Sequence, residues 1–63
     1  MKVNRIKYYI SNKGVDYIVS HDYDDKITTL FCQGNKVWEL DYKVVTDDDA
    51  QFVITRYLEI KKR

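Results

Sequence analysis

Few residues of this sequence have the chemistry that catalysis needs. The chain has one histidine, His21, and one cysteine, Cys32, and a thiolate–imidazole pair would require contact between the two side chains. They lie in different parts of the chain, and no motif orients one toward the other. The two glycines, Gly14 and Gly34, are isolated, so the sequence contains neither a phosphate-binding loop nor a nucleophile elbow. We therefore expect a protein that is not an enzyme and needs no cofactor.

Clustered aspartates are the second feature that could do chemistry. Asp22, Asp24 and Asp25 could offer carboxylate oxygens to a hard cation such as Ca²⁺. The segment lacks the central glycine and the distal glutamate of an EF-hand loop, which favours a solvated turn. The acidic run 47–49 precedes an apolar segment and is explained by a helix N-terminus. A single histidine also excludes a two-histidine zinc site within one chain, so we predict no metal site.

The charge balance limits contact with nucleic acid. Lys and Arg number 11 and Asp and Glu number 10, for a net charge of +1, so the chain is not a polycationic nucleic-acid coat. A nucleic-acid-binding domain that uses the sheet face and the basic C-terminus is the alternative function. Its contact residues would be Arg5, Lys7, Lys43, Lys61, Lys62 and Arg63. Because Asp16, Glu39 and Asp41 are predicted to share the sheet face, we expect such binding to be weak or absent.

Two predicted β-hairpins position these side chains, and the first spans residues 3–20. Apolar and polar residues alternate over 3–11 and again over 15–20, as in strands with one buried face. A turn at Asn12 and Lys13 would make inward-facing residues meet across the two strands. The predicted pairs are Ile10 with Val15, Tyr8 with Tyr17 and Ile6 with Val19.

The second hairpin is predicted around Gly34 and Asn35, as a type II′ turn with glycine first. An odd-length loop at 21–25 would keep both hairpins in phase, so that their apolar side chains share one buried face. The predicted pairs are Phe31 with Trp38, Thr29 with Leu40 and Ile27 with Tyr42.

The C-terminal segment has the end signals of an α-helix. Thr46 followed by Asp49 matches the N-cap and N3 positions of a capping box. The acidic run 47–49 and the basic run 61–63 both suit the helix dipole. The apolar residues fall on one arc of the helix, with Phe52 outside it. The alternative interpretation, a fifth strand, would give an all-β, five-stranded SH3-like small barrel.

These patterns predict one small α+β domain over residues 1–63, a four-stranded antiparallel β-meander with a C-terminal α-helix packed on one face. The strands are predicted at about 3–11, 15–20, 26–32 and 36–45, and the helix at about 47–61. No apolar run reaches the roughly 18 to 20 residues of a membrane span, and the single cysteine suits a reducing compartment. We expect a cytoplasmic protein that makes no membrane contact.

An apolar excess on the predicted outer face of the sheet provides the main functional hypothesis. A contiguous apolar group on an uncovered sheet is typical of an interface. We therefore predict a small non-enzymatic protein-binding module that binds a partner protein or forms a homodimer. Its size and its many Lys, Ile, Tyr, Asn and Asp residues favour a phage or mobile-element inhibitor or adaptor. The predicted partner-binding residues are Tyr9, Ile18, Leu30, Cys32 and Val37 on the sheet and Phe52 on the helix.

Overall fold

Four strands and one helix follow one another along the chain in the computed structural model, which describes residues 4–62. The elements are β1 (Arg5–Asn12), β2 (Val15–Asp22), β3 (Ile27–Cys32), β4 (Asn35–Leu40) and α1 (Asp47–Lys61). The strands pair antiparallel in the order β1-β2-β3-β4, and α1 packs on one face of the sheet. This arrangement confirms the predicted α+β fold. Because 47–61 is helical, the five-stranded barrel is wrong, and β4 ends at residue 40 instead of 45.

The β1–β2 turn consists of Lys13 and Gly14, whose φ angles are 53° and 79°. Two successive positive φ angles are typical of a type I′ turn, whose twist matches that of the flanking strands. Val15 therefore pairs with Asn12 instead of Ile10, and the predicted register is wrong by two residues. A shift of two keeps every side chain on its face, so β1 and β2 retain their predicted inner faces.

The β2–β3 turn has four residues, 23–26, and the Asp22 carboxylate holds it together. Oδ1 of Asp22 accepts hydrogen bonds from the backbone N–H groups of Asp24, at 2.9 Å, and Asp25, at 3.1 Å. The pKa of Asp22 is held below its ordinary value, and the hydrogen bond from Asp25 is the largest cause. The bond from Asp24 and the nearby Arg5 guanidinium add to it. The aspartate cluster therefore acts as a turn-forming device.

The even length of this turn changes which side of β3 is buried. Val19 pairs with Leu30, so odd-numbered residues of β2 share a face with even-numbered residues of β3. Leu30 is 0% exposed, and Cys32 packs against the core. Their predicted outward positions are therefore wrong, because the odd-length loop that the prediction required does not form. Three residues that were predicted to face inward lie on the uncovered face because of the same shift: Ile27, Thr29 and Phe31.

A β-bulge between β3 and β4 restores the predicted phase in the last strand. Leu30 pairs with Trp38, whereas Phe31 pairs with Lys36, so Val37 is an extra residue with no partner on β3. The bulge shifts β4 by one residue and thereby offsets the shift that the β2–β3 turn introduces. Trp38 consequently lies on the core side, as predicted.

The β3–β4 turn also differs from the prediction. It consists of Gln33 and Gly34, with φ angles of 51° and 86°, instead of Gly34 and Asn35, and it is a second type I′ turn. The half-buried ring of Trp38 lies 6.2 Å from the ring of Tyr57, measured between centroids. The helix thus supplies the aromatic neighbour that the prediction assigned to β3.

The start of α1 confirms the predicted cap. The Thr46 hydroxyl oxygen accepts a hydrogen bond from the Asp49 backbone N–H at 3.2 Å. Oδ2 of Asp49 accepts one from the Val45 N–H at 3.0 Å, and Oδ1 accepts one from the Tyr42 hydroxyl at 3.4 Å. The capped helix then contributes its buried side to a core formed by Tyr17, Val19, Leu30, Val44, Ala50, Val53 and Ile54.

Acid is expected to destabilise the fold in part through Asp49. Hydrogen bonds hold the pKa of Asp49 below its ordinary value. The bond from the Val45 N–H is the largest cause, and the bonds from Thr46 and Tyr42 add to it. Such a carboxylate contributes stability that is complete above its unfolded pKa of about 4 and is lost as the pH falls through the folded pKa. We expect the urea concentration at the unfolding midpoint to decrease as the pH is lowered from about 5 to about 3. This decrease should be smaller in Asp49→Asn.

Asp48→Asn is the matched control for this prediction. It removes the adjacent carboxylate, which makes no hydrogen bond within residues 4–62. Because this change removes no hydrogen bond of the cap, its acid sensitivity should stay closer to that of the wild type than the acid sensitivity of Asp49→Asn does. If Asp49→Asn also keeps the full acid sensitivity, the hydrogen bonds to Asp49 do not contribute as described.

Candidate functional site

The candidate site lies on the sheet face opposite α1, which we call the open face. Tyr9 pairs with Ile18, and Ile18 pairs with Phe31, so the three side chains stand side by side across β1, β2 and β3. Adjacent strands lie about 4.8 Å apart, which makes the row about 10 Å wide. The Tyr9 side is the most accessible, because Tyr9 is 75% exposed whereas Ile18 and Phe31 are half-buried. We call these three residues the apolar row.

Charged side chains of both signs border the apolar row. An Arg5 guanidinium nitrogen lies 3.4 Å from Oδ2 of Asp22, and Nζ of Lys36 lies 3.4 Å from Oε1 of Glu39. Both ion pairs line a shallow depression of about 260 Å³ next to Phe31. The open face therefore has an apolar centre with a polar border, and neither sign of charge dominates it.

The structure separates the residues that the sequence predicted to bind a partner. Tyr9 and Ile18 are neighbours on the open face. Leu30 and Cys32 are not there, because both face the core. The residue that the sequence interpretation missed is Phe31, whose face depends on the length of the β2–β3 turn. The aspartates of that turn were the signal that could have revealed it.

The two remaining candidates lie away from the centre of the open face. Val37 is 37% exposed and occupies the β-bulge in β4. Phe52 is 50% exposed on α1, and its ring lies 5.5 Å from that of Tyr42 between centroids. Phe52 therefore belongs to the helical side of the domain and cannot share one contact surface with Tyr9.

The basic residues predicted to contact nucleic acid are dispersed. Arg5 and Lys7 lie on the open face of β1, with Arg5 paired to Asp22. Lys43 is predicted on the same face, but β4 ends before it. Lys43 lies in the connection to α1, where it lines a cavity that His21 also lines.

At the other end of the chain, Lys61 and Lys62 occupy the C-terminal end of α1. The Lys61 ammonium lies 5.8 Å from the centroid of the Tyr57 ring, a cation–π distance. Arg63 lies outside the described residues. The described members of this predicted set therefore belong to three separate regions of the surface.

Comparisons of the chain with protein-family models, with curated proteins and with solved structures found no match. Within residues 4–62, no group of three or more His, Cys, Asp or Glu side chains is placed to hold a metal ion. Over the same part of the chain, no helix has the length and apolar character needed to cross a membrane. Function is therefore inferred from the surfaces of the domain itself.

Proposed function

We propose that this domain is a small non-enzymatic protein-binding module that acts through the open face of its sheet. The apolar row of Tyr9, Ile18 and Phe31 supports this function most directly, because α1 covers the other face and no element of residues 4–62 covers this one. Aromatic residues are enriched at the centres of protein interfaces and contribute much of their binding energy. Tyr9 is the expected anchor, since most of its side chain is free for contact.

The partner that fits this surface is a protein with an apolar patch surrounded by charges of both signs. Exposed ion pairs such as Arg5–Asp22 and Lys36–Glu39 add little stability, but charges at the border of an interface fix orientation and exclude wrong partners. The size of the domain suits a cytoplasmic inhibitor or adaptor of a phage or mobile element. A second copy of the chain is the other partner that the same surface would accept.

Replacing Tyr9 with aspartate is expected to weaken partner binding at least tenfold and leave the fold intact. The side chain is 75% exposed, so a carboxylate there stays in water when the domain is free and is desolvated when a partner covers it. Affinity capture from lysate of the source cells identifies the partner bound by the wild type. Titration of that purified partner should then show at least tenfold weaker binding, or about 1.4 kcal/mol.

Ile60→Asp is the matched control, because Ile60 is also an exposed apolar residue, at 51%, but lies on α1. It should bind the same partner as the wild type does. Sedimentation velocity on the wild type and on Tyr9→Asp tests whether the partner is a second copy. A Tyr9→Asp domain that binds the partner with unchanged affinity would refute the proposed surface.

Nucleic-acid binding is the alternative function that one observation favours. Arg5, Lys7 and Tyr9 alternate along β1 on the open face, and an aromatic ring flanked by cations can stack on a base while the cations contact phosphates. Asp16, Asp22 and Glu39 oppose this function by reducing the positive charge nearby. A Kd for single-stranded DNA below about 1 µM at physiological salt, together with weaker binding by Lys7→Glu, would favour the alternative.

A further inference from the structure

The second surface that invites a ligand lies at the opposite side of the sheet, around His21. The sequence places His21 in a loop, but it belongs to β2 and is only 2% exposed. A pocket of about 420 Å³ opens beside it at the end of the sheet that carries the β2–β3 turn. We call it the His21 pocket, and its lining consists of His21, Tyr23, Lys26, Asp41, Tyr42 and Lys43.

Hydrogen bonding fixes the proton positions on the imidazole ring. The Thr28 hydroxyl donates its single hydrogen to the backbone carbonyl of Tyr42. The contact of 2.8 Å between Oγ1 of Thr28 and Nδ1 of His21 can then only be a bond that the ring donates and the hydroxyl accepts. Nδ1 therefore carries a hydrogen, and Nε2 of the neutral ring is a free acceptor.

Nε2 of His21 has no protein hydrogen-bond partner within residues 4–62. Within residues 4–62, His21 makes its side-chain hydrogen bond through Nδ1 alone, yet no fully enclosed side-chain nitrogen or oxygen lacks a partner. Nε2 therefore keeps some access to solvent, and His21 is one of the residues that line the His21 pocket. The ring of Tyr23 meets the imidazole edge-on, with centroids 4.8 Å apart and planes at 88°, and so holds it in this orientation.

The charged side chains of the pocket lining have a small positive excess. Lys26 and Lys43 form no ion pair with any residue of 4–62. Asp41 is the single carboxylate of the lining, so the lining carries a net positive charge. Lys26 has a φ angle of 60°, a left-handed conformation that glycine adopts more readily than lysine.

We propose that the His21 pocket binds the phosphate group of a small phosphate monoester. Such a group has oxygens for the ammonium groups of Lys26 and Lys43. As a monoanion, below its second ionisation near pH 6, it also carries an O–H that can donate a hydrogen bond to Nε2. The tyrosine rings supply the apolar wall that an organic substituent needs, and the pocket has the size of a small-molecule site.

Nuclear magnetic resonance of the imidazole ring tests this site directly, because His21 is the only histidine. Long-range ¹H–¹⁵N spectra of the free protein should show the tautomer with hydrogen on Nδ1. Titration with phenyl phosphate should shift the Nε2 resonance in a saturable way. Tighter binding of phenyl phosphate than of inorganic phosphate identifies an organic monoester as the ligand, and equal binding identifies the free ion; either supports a phosphate site.

Two glycine variants distinguish this pocket from general charge attraction. Lys26→Gly removes one ammonium and relieves the left-handed residue, so it should fold at least as stably as the wild type and bind phenyl phosphate at least tenfold more weakly. Lys13→Gly removes an ammonium from another left-handed position, φ 53°, in the turn at the opposite end of the sheet, and should bind normally. The absence of any His21 shift at about 10 mM phenyl phosphate, or equal weakening in both variants, would overturn the proposal.

Discussion

Replacing Leu30 with aspartate is expected to unfold the domain. Leu30 is 0% exposed and lies between Val19 and Trp38 in the middle of the sheet, so the new carboxylate would be buried without a partner, at a cost of several kcal/mol. The core of so small a domain supplies only about 3 to 5 kcal/mol of net stability. Circular dichroism and amide proton dispersion should show an unfolded chain at 25 °C.

Phe31→Asp is the matched control, because Phe31 is the next residue along β3 and lies on the open face. It should remain folded, with a lower melting temperature, since Phe31 is half-buried. Leu30→Ala gives a graded version of the test and should cost about 2 to 5 kcal/mol. A folded Leu30→Asp together with an unfolded Phe31→Asp would mean that the faces of β3 are reversed.

Replacing Thr28 with valine is expected to cost about 2 to 4 kcal/mol, although the two side chains have nearly the same shape. The change removes the donor to the Tyr42 carbonyl and the acceptor for the Nδ1 hydrogen of His21. Both groups would then lose their partner. An unsatisfied polar group that is fully buried costs about 1 to 3 kcal/mol; His21 is 2% exposed, and Tyr42 is half-buried. Urea unfolding at neutral pH measures the loss.

Thr29→Val supplies the comparison, because Thr29 neighbours Thr28 in sequence but lies on the open face, where its side chain makes no hydrogen bond within residues 4–62. Its free energy of unfolding should change by less than about 0.5 kcal/mol. Equal losses in the two valine variants would show that β-sheet position, and not the hydrogen-bonded network, sets the cost at Thr28.

Signals that act over a few residues predicted the elements of this fold. Thr46 and Asp49 define the start of α1 from the sequence because the hydrogen bonds of a cap connect positions three residues apart. Alternation predicted the strands for the same reason, since each side chain's face follows from that of its neighbour. Where alternation is unbroken, as from Ile6 to Ile10 in β1, the predicted face agrees with the structure.

The relative phase of two strands is harder to predict, because it depends on the number of residues in the turn between them. The prediction needed an odd-length loop, whereas the Asp22 carboxylate supports a turn of four residues. This one difference moved Leu30 from the open face to the core and Phe31 from the core to the open face. The β-bulge at Val37 leaves no local signal that alternation could detect, and only the pairing of β3 with β4 reveals it.

The His21 pocket was beyond the reach of sequence patterns for a different reason. Its lining comes from the end of β2, the β2–β3 turn and the connection to α1, and these segments meet only when the sheet has formed. Nε2 is an acceptor because the Thr28 hydroxyl donates its hydrogen to the Tyr42 carbonyl. The spacing of residues in the sequence does not encode the direction of that hydrogen bond.

The β-bulge also makes the two edges of the sheet unequal as templates for a further strand. β1 runs from Arg5 to Asn12 with unbroken pairing to β2, so its outer side presents a regular series of backbone donors and acceptors. On β4 the extra residue Val37 interrupts that series, and the charged side chains of Lys36 and Glu39 flank the interruption. A strand from another chain would find a continuous template along β1 alone, which confines the aggregation hazard of this sheet to one edge.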